Sequence, residues 1–189
     1  MFSKIRLWWK YEGRYYHKDF IRGIKNLWKW FPTIWKDRDY DSNFIYEVLR
    51  IKLENQAYYI EHKGIHVDAE RDAERMLLCA RLIQIQQEEL YETEYLDYLK
   101  RDHQFIPTDE TNQWYTLEST TIKDDLDEYF KKYPKQYKQV LSGEINHFKS
   151  PVKEKDRYTI AIEIAQHNQE RSRKLLFKII EQHIEEWWD

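Results

Sequence analysis

A chain of 189 residues with only four Gly and four Pro has few places to turn. Glycine supplies backbone with positive φ and proline ends regular elements, so their scarcity argues against a fold of many short strands and tight turns. Charged residues at 34% and hydrophobic residues at 41% suit amphipathic helices instead. The expected architecture is all-α: one domain over residues 1–189, a bundle of about five to seven helices that ends in a long C-terminal helix. No apolar run is long enough to span a bilayer. The single cysteine, Cys79, cannot form an internal disulfide, and with no signal peptide in view the expected compartment is a reducing cytoplasm.

The net charge of −3 hides an asymmetry. Residues 1–38 hold ten Lys or Arg against Glu12, Asp19 and Asp37, a local charge of +7, while the remainder carries 21 basic and 31 acidic residues, or −10. The same segment holds five of the eight Trp: Trp8, Trp9, Trp28, Trp30 and Trp35.

Helical segments follow one another between recognisable stops. Asp19 is placed to cap a first helix whose apolar face is Phe20, Ile24, Leu27, Trp28 and Phe31, and Pro32 is expected to end it. In the run WKWFPTIWKDRDYD the bland reading is an interhelical corner, with Trp28 and Phe31 buried and Ile34 and Trp35 pinning the connection. A second helix is expected from Asp41 to about Ile60, with Ile45, Val48, Leu49, Leu53, Ala57 and Ile60 facing inward and Gly64 as its stop. Asp68 then caps a third, with Ala73, Met76, Leu77, Ala80 and Ile83 inside.

Residues 102–120 are the least periodic and read as a loop. Thr121 to Asp124 has capping-box spacing and is expected to open a short helix containing Leu126, Tyr129 and Phe130. Ser150–Pro151 resembles an N-cap followed by Pro at the first helical position, which predicts one helix over 151–188, on the order of 50 Å long. Along it Ala161, Ala165, Asn168 and Ser172 form a line of short residues that would admit a neighbouring helix closely. Ile180, Ile184, Trp187 and Trp188 follow. Tryptophans at this end are costly to expose, so this group is the expected interface of a homo-oligomer, the alternative being that they fold back on the core.

Catalytic constellations are missing. The glycines Gly13, Gly23, Gly64 and Gly143 are too scattered for a phosphate loop or a dinucleotide fingerprint, and there is no G-x-S-x-G elbow. Cys79, between Leu78 and Ala80, reads as a core thiol. His62 and His66 have ligand-like spacing beside Glu61, Asp68, Glu70 and Asp72, but Gly64 separates them. Glu163, His167 and Glu170 share a helical face, and the only Glu-x-x-His pair is Glu144 with His147, whereas a di-iron bundle needs two. Both groups read as polar surface, and no cofactor or metal is expected.

The runs WFPTIWKDRDYD, FIYEVLRIKLENQAYYI and LLFKIIEQHIEEWWD resemble segments of uncharacterised small proteins of tailed bacteriophages. The resemblance covers roughly the first 60 residues and the last 15. It implies a phage origin and action inside an infected bacterium, and it assigns no activity or functional residue.

Lys and Arg attract phosphate while Trp faces stack on bases. The expected ligand-contacting residues are therefore Arg14, Lys25, Lys29, Trp30, Trp35, Lys36 and Arg38. The expected function is a non-enzymatic phage accessory protein that sequesters a nucleotide-like anion or blocks a host protein. Nucleic-acid binding through the same segment is an alternative, although a domain of pI about 6.2 with one basic end is a poor duplex binder. A purely structural or protein-interaction role is another. Interfacial membrane binding is a third, and the acidic bulk of the chain weighs against it.

Overall fold

The computed structural model describes residues 6–188 except 8, 14, 39–40, 65–66 and 109–113. The chain forms two compact units, Met1–Leu49 and Arg50–Asp189. It is mostly helical, yet it contains a two-stranded antiparallel sheet, which corrects the all-α expectation.

In the first unit a π-helical turn, Trp9–Gly13, precedes helix α1, Tyr16–Ile34. Helix α1 starts before Asp19 and runs two residues past Pro32, where the sequence predicts a stop. Pro32 removes only its own N–H, and the Trp35 N–H still reaches the Phe31 carbonyl at 2.9 Å, so the last turn closes. No residue of α1 is buried. Trp28 is 81% exposed, Phe31 54% and Trp35 77%, so the expected core face and pinned corner are not formed.

Helix α2, Ser42–Lys63, follows the sequence reading closely. The Asp41 carboxylate accepts the Asn43 N–H at 2.9 Å, and Gly64 closes the helix at φ +55, a conformation that costs glycine little. Leu53, Ala57 and Ile60 are buried, while Ile45 is exposed.

In the second unit α3, Ala69–Gln87, ends at Glu89 in a left-handed conformation, φ 49. Ala73, Met76, Ala80 and Ile83 are buried as expected, and so is the Cys79 thiol, but Leu77 is exposed and Leu82 is inside instead. Asp68 stands at the N-cap position without a side-chain cap bond and pairs with Arg71 at 2.9 Å. Helix α4, Leu90–Thr93, and a 3-10 turn, Glu94–Asp97, lead into β1, Leu99–Pro107, and β2, Tyr115–Asp124.

These strands occupy the stretch read as a loop. Phe105 lies opposite Leu117 and Ile106 opposite Thr116, the aromatic and β-branched pairs that stabilise a hairpin. The connecting sequence TDETNQ has no Asn-Gly or Asp-Gly pair, the strongest short-range sign of a hairpin. Thr121 is a strand residue rather than a cap, whereas the Asp124 carboxylate accepts the Leu126 N–H at 3.2 Å and so starts α5, Leu126–Lys132.

Helices α6, Pro134–Leu141, and α7, Arg157–His183, complete the unit with a 3-10 turn, Glu186–Trp188. Helix α7 begins at Arg157 rather than Pro151 and is 27 residues long. The Asp156 carboxylate draws the preceding chain into a turn by accepting the Lys153 N–H at 3.1 Å, which fixes the start there. Helix α3 packs on α7. The short residues Ala161, Ala165, Asn168 and Ser172 are all buried, and a core of Leu99, Leu126, Tyr129, Phe130, Val140, Ile145, Ile160 and Ile164 joins β1 and α5–α7.

Candidate functional site

A cleft of about 560 Å³ opens in the second unit between α3, α4, the start of α6 and one face of α7. That volume lies within the range of small-ligand sites. Asn168, Arg171, Ser172, Leu175 and Lys178 recur at three- and four-residue spacing along α7, so one helical stripe supplies half of its lining. Leu82 of α3 and Tyr91 of α4 stand across from them, with Tyr133 and Gln136 at the α6 end.

The floor is polar and buried. Ser172 Oγ donates to the Gln169 carbonyl at 2.8 Å and accepts a hydrogen bond from Gln86 of α3. Asn168 is 8% exposed; its carbonyl oxygen accepts from Gln136 at 3.5 Å, and its amide nitrogen has no partner among the described residues. A buried donor left without an acceptor is unfavourable by about 1–3 kcal/mol unless something supplies one.

The rim is cationic. Lys174 pairs with Glu170 at 2.9 Å, which holds the Glu170 carboxyl below its usual range. Arg171 and Lys178 make no ion pair among the described residues. Like charges three and four residues apart on a helix repel, and an anion between them relieves that repulsion. The neighbouring His167 feels the same field: burial first, then the Arg171 and His147 charges, push its pKa below 6.5.

Tyr133 supplies a ring held in place. Its hydroxyl donates to Glu94 Oε2 at 2.6 Å, and Lys132 binds the other oxygen of the same carboxylate. Burial, followed by that hydrogen bond, pushes the Tyr133 hydroxyl far above its ordinary value, so it stays neutral.

The residues marked from sequence lie elsewhere. Lys25 and Lys29 occupy one face of α1 and Lys36 continues its line, whereas Trp35 stands with Phe31 on the apolar side, their rings 5.3 Å apart. Trp30 is half-buried and Arg38 exposed. Cations and Trp35 are thus a helix flank apart. Arg14, His66 and the Trp188 side chain lie outside the described residues.

Trp187 is 2% exposed, and its carbonyl accepts from Gln56 at 3.4 Å, so its burial is accounted for within its own chain. Ile180 is half-buried and Ile184 exposed. Glu163, read as polar surface, is instead fully buried and accepts the backbone N–H groups of His147 at 2.8 Å and Phe148 at 3.1 Å. His62 is stacked on Tyr58 with ring centroids 3.8 Å apart.

The cleft cations were legible as the run RSRKLLFK, whose Arg171, Lys174 and Lys178 share a face with Asn168 and Ser172. The larger positive segment at the other end of the chain masked them. Comparison with protein families, curated proteins and solved structures gives no match.

Proposed function

We propose that the protein is a non-catalytic binding protein whose second unit takes up a small ligand with a phosphate-like anionic group and a planar ring, the chemistry of a nucleotide. The observation that carries this reading is the convergence of Arg171, Lys174 and Lys178 on a cleft whose floor holds the Asn168 amide, unpartnered among the described residues. Arg171 and Lys178 meet the anion, Tyr91 and Tyr133 flank the ring, and Asn168 donates to an acceptor on it.

The described residues that line the cleft include no Cys, His, Asp or Glu to act as a nucleophile or to activate one. Cys79 is buried and its thiol is pushed up to about 11, away from the reactive thiolate. Tight binding alone removes a free signal molecule, which suits an accessory protein acting in the cytoplasm of an infected bacterium.

Native mass spectrometry of the protein purified from expressing cells tests the reading. It predicts a retained small anion at one per chain, recovered chemically intact after denaturation and lost in Arg171→Glu. A bare protein that also gains no adduct with nucleoside mono-, di- or triphosphates overturns it.

A further inference from the structure

Helix α1 has a sharply divided surface. At about 100° per residue, Phe20, Ile21, Ile24, Leu27, Trp28, Phe31, Ile34 and Trp35 fall within an arc of roughly 140°, while Lys18, Arg22, Lys25 and Lys29 fall together on the other side. All eight apolar residues are exposed. From Tyr16 to Arg38 there are six Lys or Arg against Asp19 and Asp37, and Asp19 is already paired with Arg22 at 3.4 Å.

We infer that α1 is a membrane-surface element that lies flat in the headgroup layer of an anionic lipid bilayer. The charge complementarity selects this occupant. Lysines along the border of the apolar arc reach lipid phosphates while their stems stay on hydrocarbon, and Trp and Phe settle at the boundary of headgroups and acyl chains. A second copy of α1 fits the face poorly. It brings two cationic segments together, and flat rings at Phe20, Trp28, Phe31 and Trp35 replace the aliphatic heptads that interlocking helices use. Residues 39–189, at −10, are repelled by the same lipids, so attraction is confined to the N-terminal segment. The inference is independent of the cleft.

Flotation of the full chain with vesicles of equal parts phosphatidylcholine and phosphatidylglycerol tests it against vesicles of phosphatidylcholine alone. Binding is expected on the anionic vesicles and lost at high salt. Joint Lys25→Glu and Lys29→Glu substitution weakens it by about tenfold or more. Leu27→Glu with Phe31→Glu abolishes it, with an unchanged melting transition for the second unit. Failure to float with anionic vesicles overturns the inference. So does flotation that both pairs of variants leave intact, or a dimer in sedimentation that Leu27→Glu with Phe31→Glu converts to monomer, which assigns the face to a second copy.

Discussion

Helices α1 and α7 both show an apolar stripe at helical spacing, and only one of them is buried. In α7 the inward positions are Ile160, Ala161, Ile164, Ala165 and Leu176, residues that fit against α3 and α5–α6. In α1 the corresponding positions are Phe20, Leu27, Trp28, Phe31 and Trp35, and none is buried. Residue size accounts for part of the contrast, because short side chains let a helix be approached from several sides. The rest lies in the polar face. That of α7 mixes Glu170 with Lys174 and carries the cleft rim at Arg171 and Lys178, whereas that of α1 sets Lys18, Arg22, Lys25 and Lys29 against Asp19 alone. An amphipathic pattern thus specifies that a face needs covering, and the opposite face narrows what covers it.

The contrast breaks most visibly under core truncation. Ile164→Ala is expected to destabilise the second unit by about 3 kcal/mol, through lost burial and the cavity left behind. Leu27→Ala in α1 should stay within about 0.5 kcal/mol. Urea unfolding followed by circular dichroism measures both, and equal effects would erase the distinction between the helices.

Glu163→Ala should be of similar size to Ile164→Ala, about 3 kcal/mol, because it strands the N–H groups of His147 and Phe148. Glu163→Gln keeps one acceptor and should recover part of the loss. Spacing groups Glu163 with His167 and Glu170, but its partners are backbone groups sixteen and fifteen residues upstream, which no side-chain pattern reveals.

Elsewhere the legible parts are those set by local chemistry. Asp41 and Gly64 bound α2 because capping and positive φ are properties of single residues. The hairpin was hidden because its pairing of Phe105 with Leu117 and of Ile106 with Thr116 is non-local and its turn lacks a short signature. The cleft was hidden for a related reason: Tyr133 and Arg171 line one cleft only once α6 packs on α7.

A smaller effect is expected at the hairpin base. Arg157 joins Asp127 at 2.8 Å and Asp124 at 3.2 Å, and the second contact holds Asp124 below its usual carboxylate range. Arg157→Ala should lose up to about 1 kcal/mol at low salt, less at high salt, with faster hydrogen exchange in β2.

The smallest effect is on pH dependence. Because the folded pKa of His167 is depressed, the unfolded chain binds the proton more readily, so stability contributed by neutral His167 is fully present above about 6.5 and declines as pH falls below it. His167→Gln should flatten that part of the profile in melting curves taken from pH 7.5 to pH 5, roughly one unit either side of the ordinary histidine range.

The difference between the helices also predicts which of them binds the small ligand. Calorimetric titration with nucleoside mono-, di- and triphosphates, set beside the parent nucleosides, decides it on four proteins: wild type, Arg171→Glu, Lys178→Glu and Trp35→Ala. The account predicts saturable one-to-one binding of a phosphate-bearing member, no heat with its nucleoside, a loss of about tenfold or more in each cleft variant, and no change in Trp35→Ala. Binding that survives both cleft reversals and falls with Trp35→Ala would contradict it.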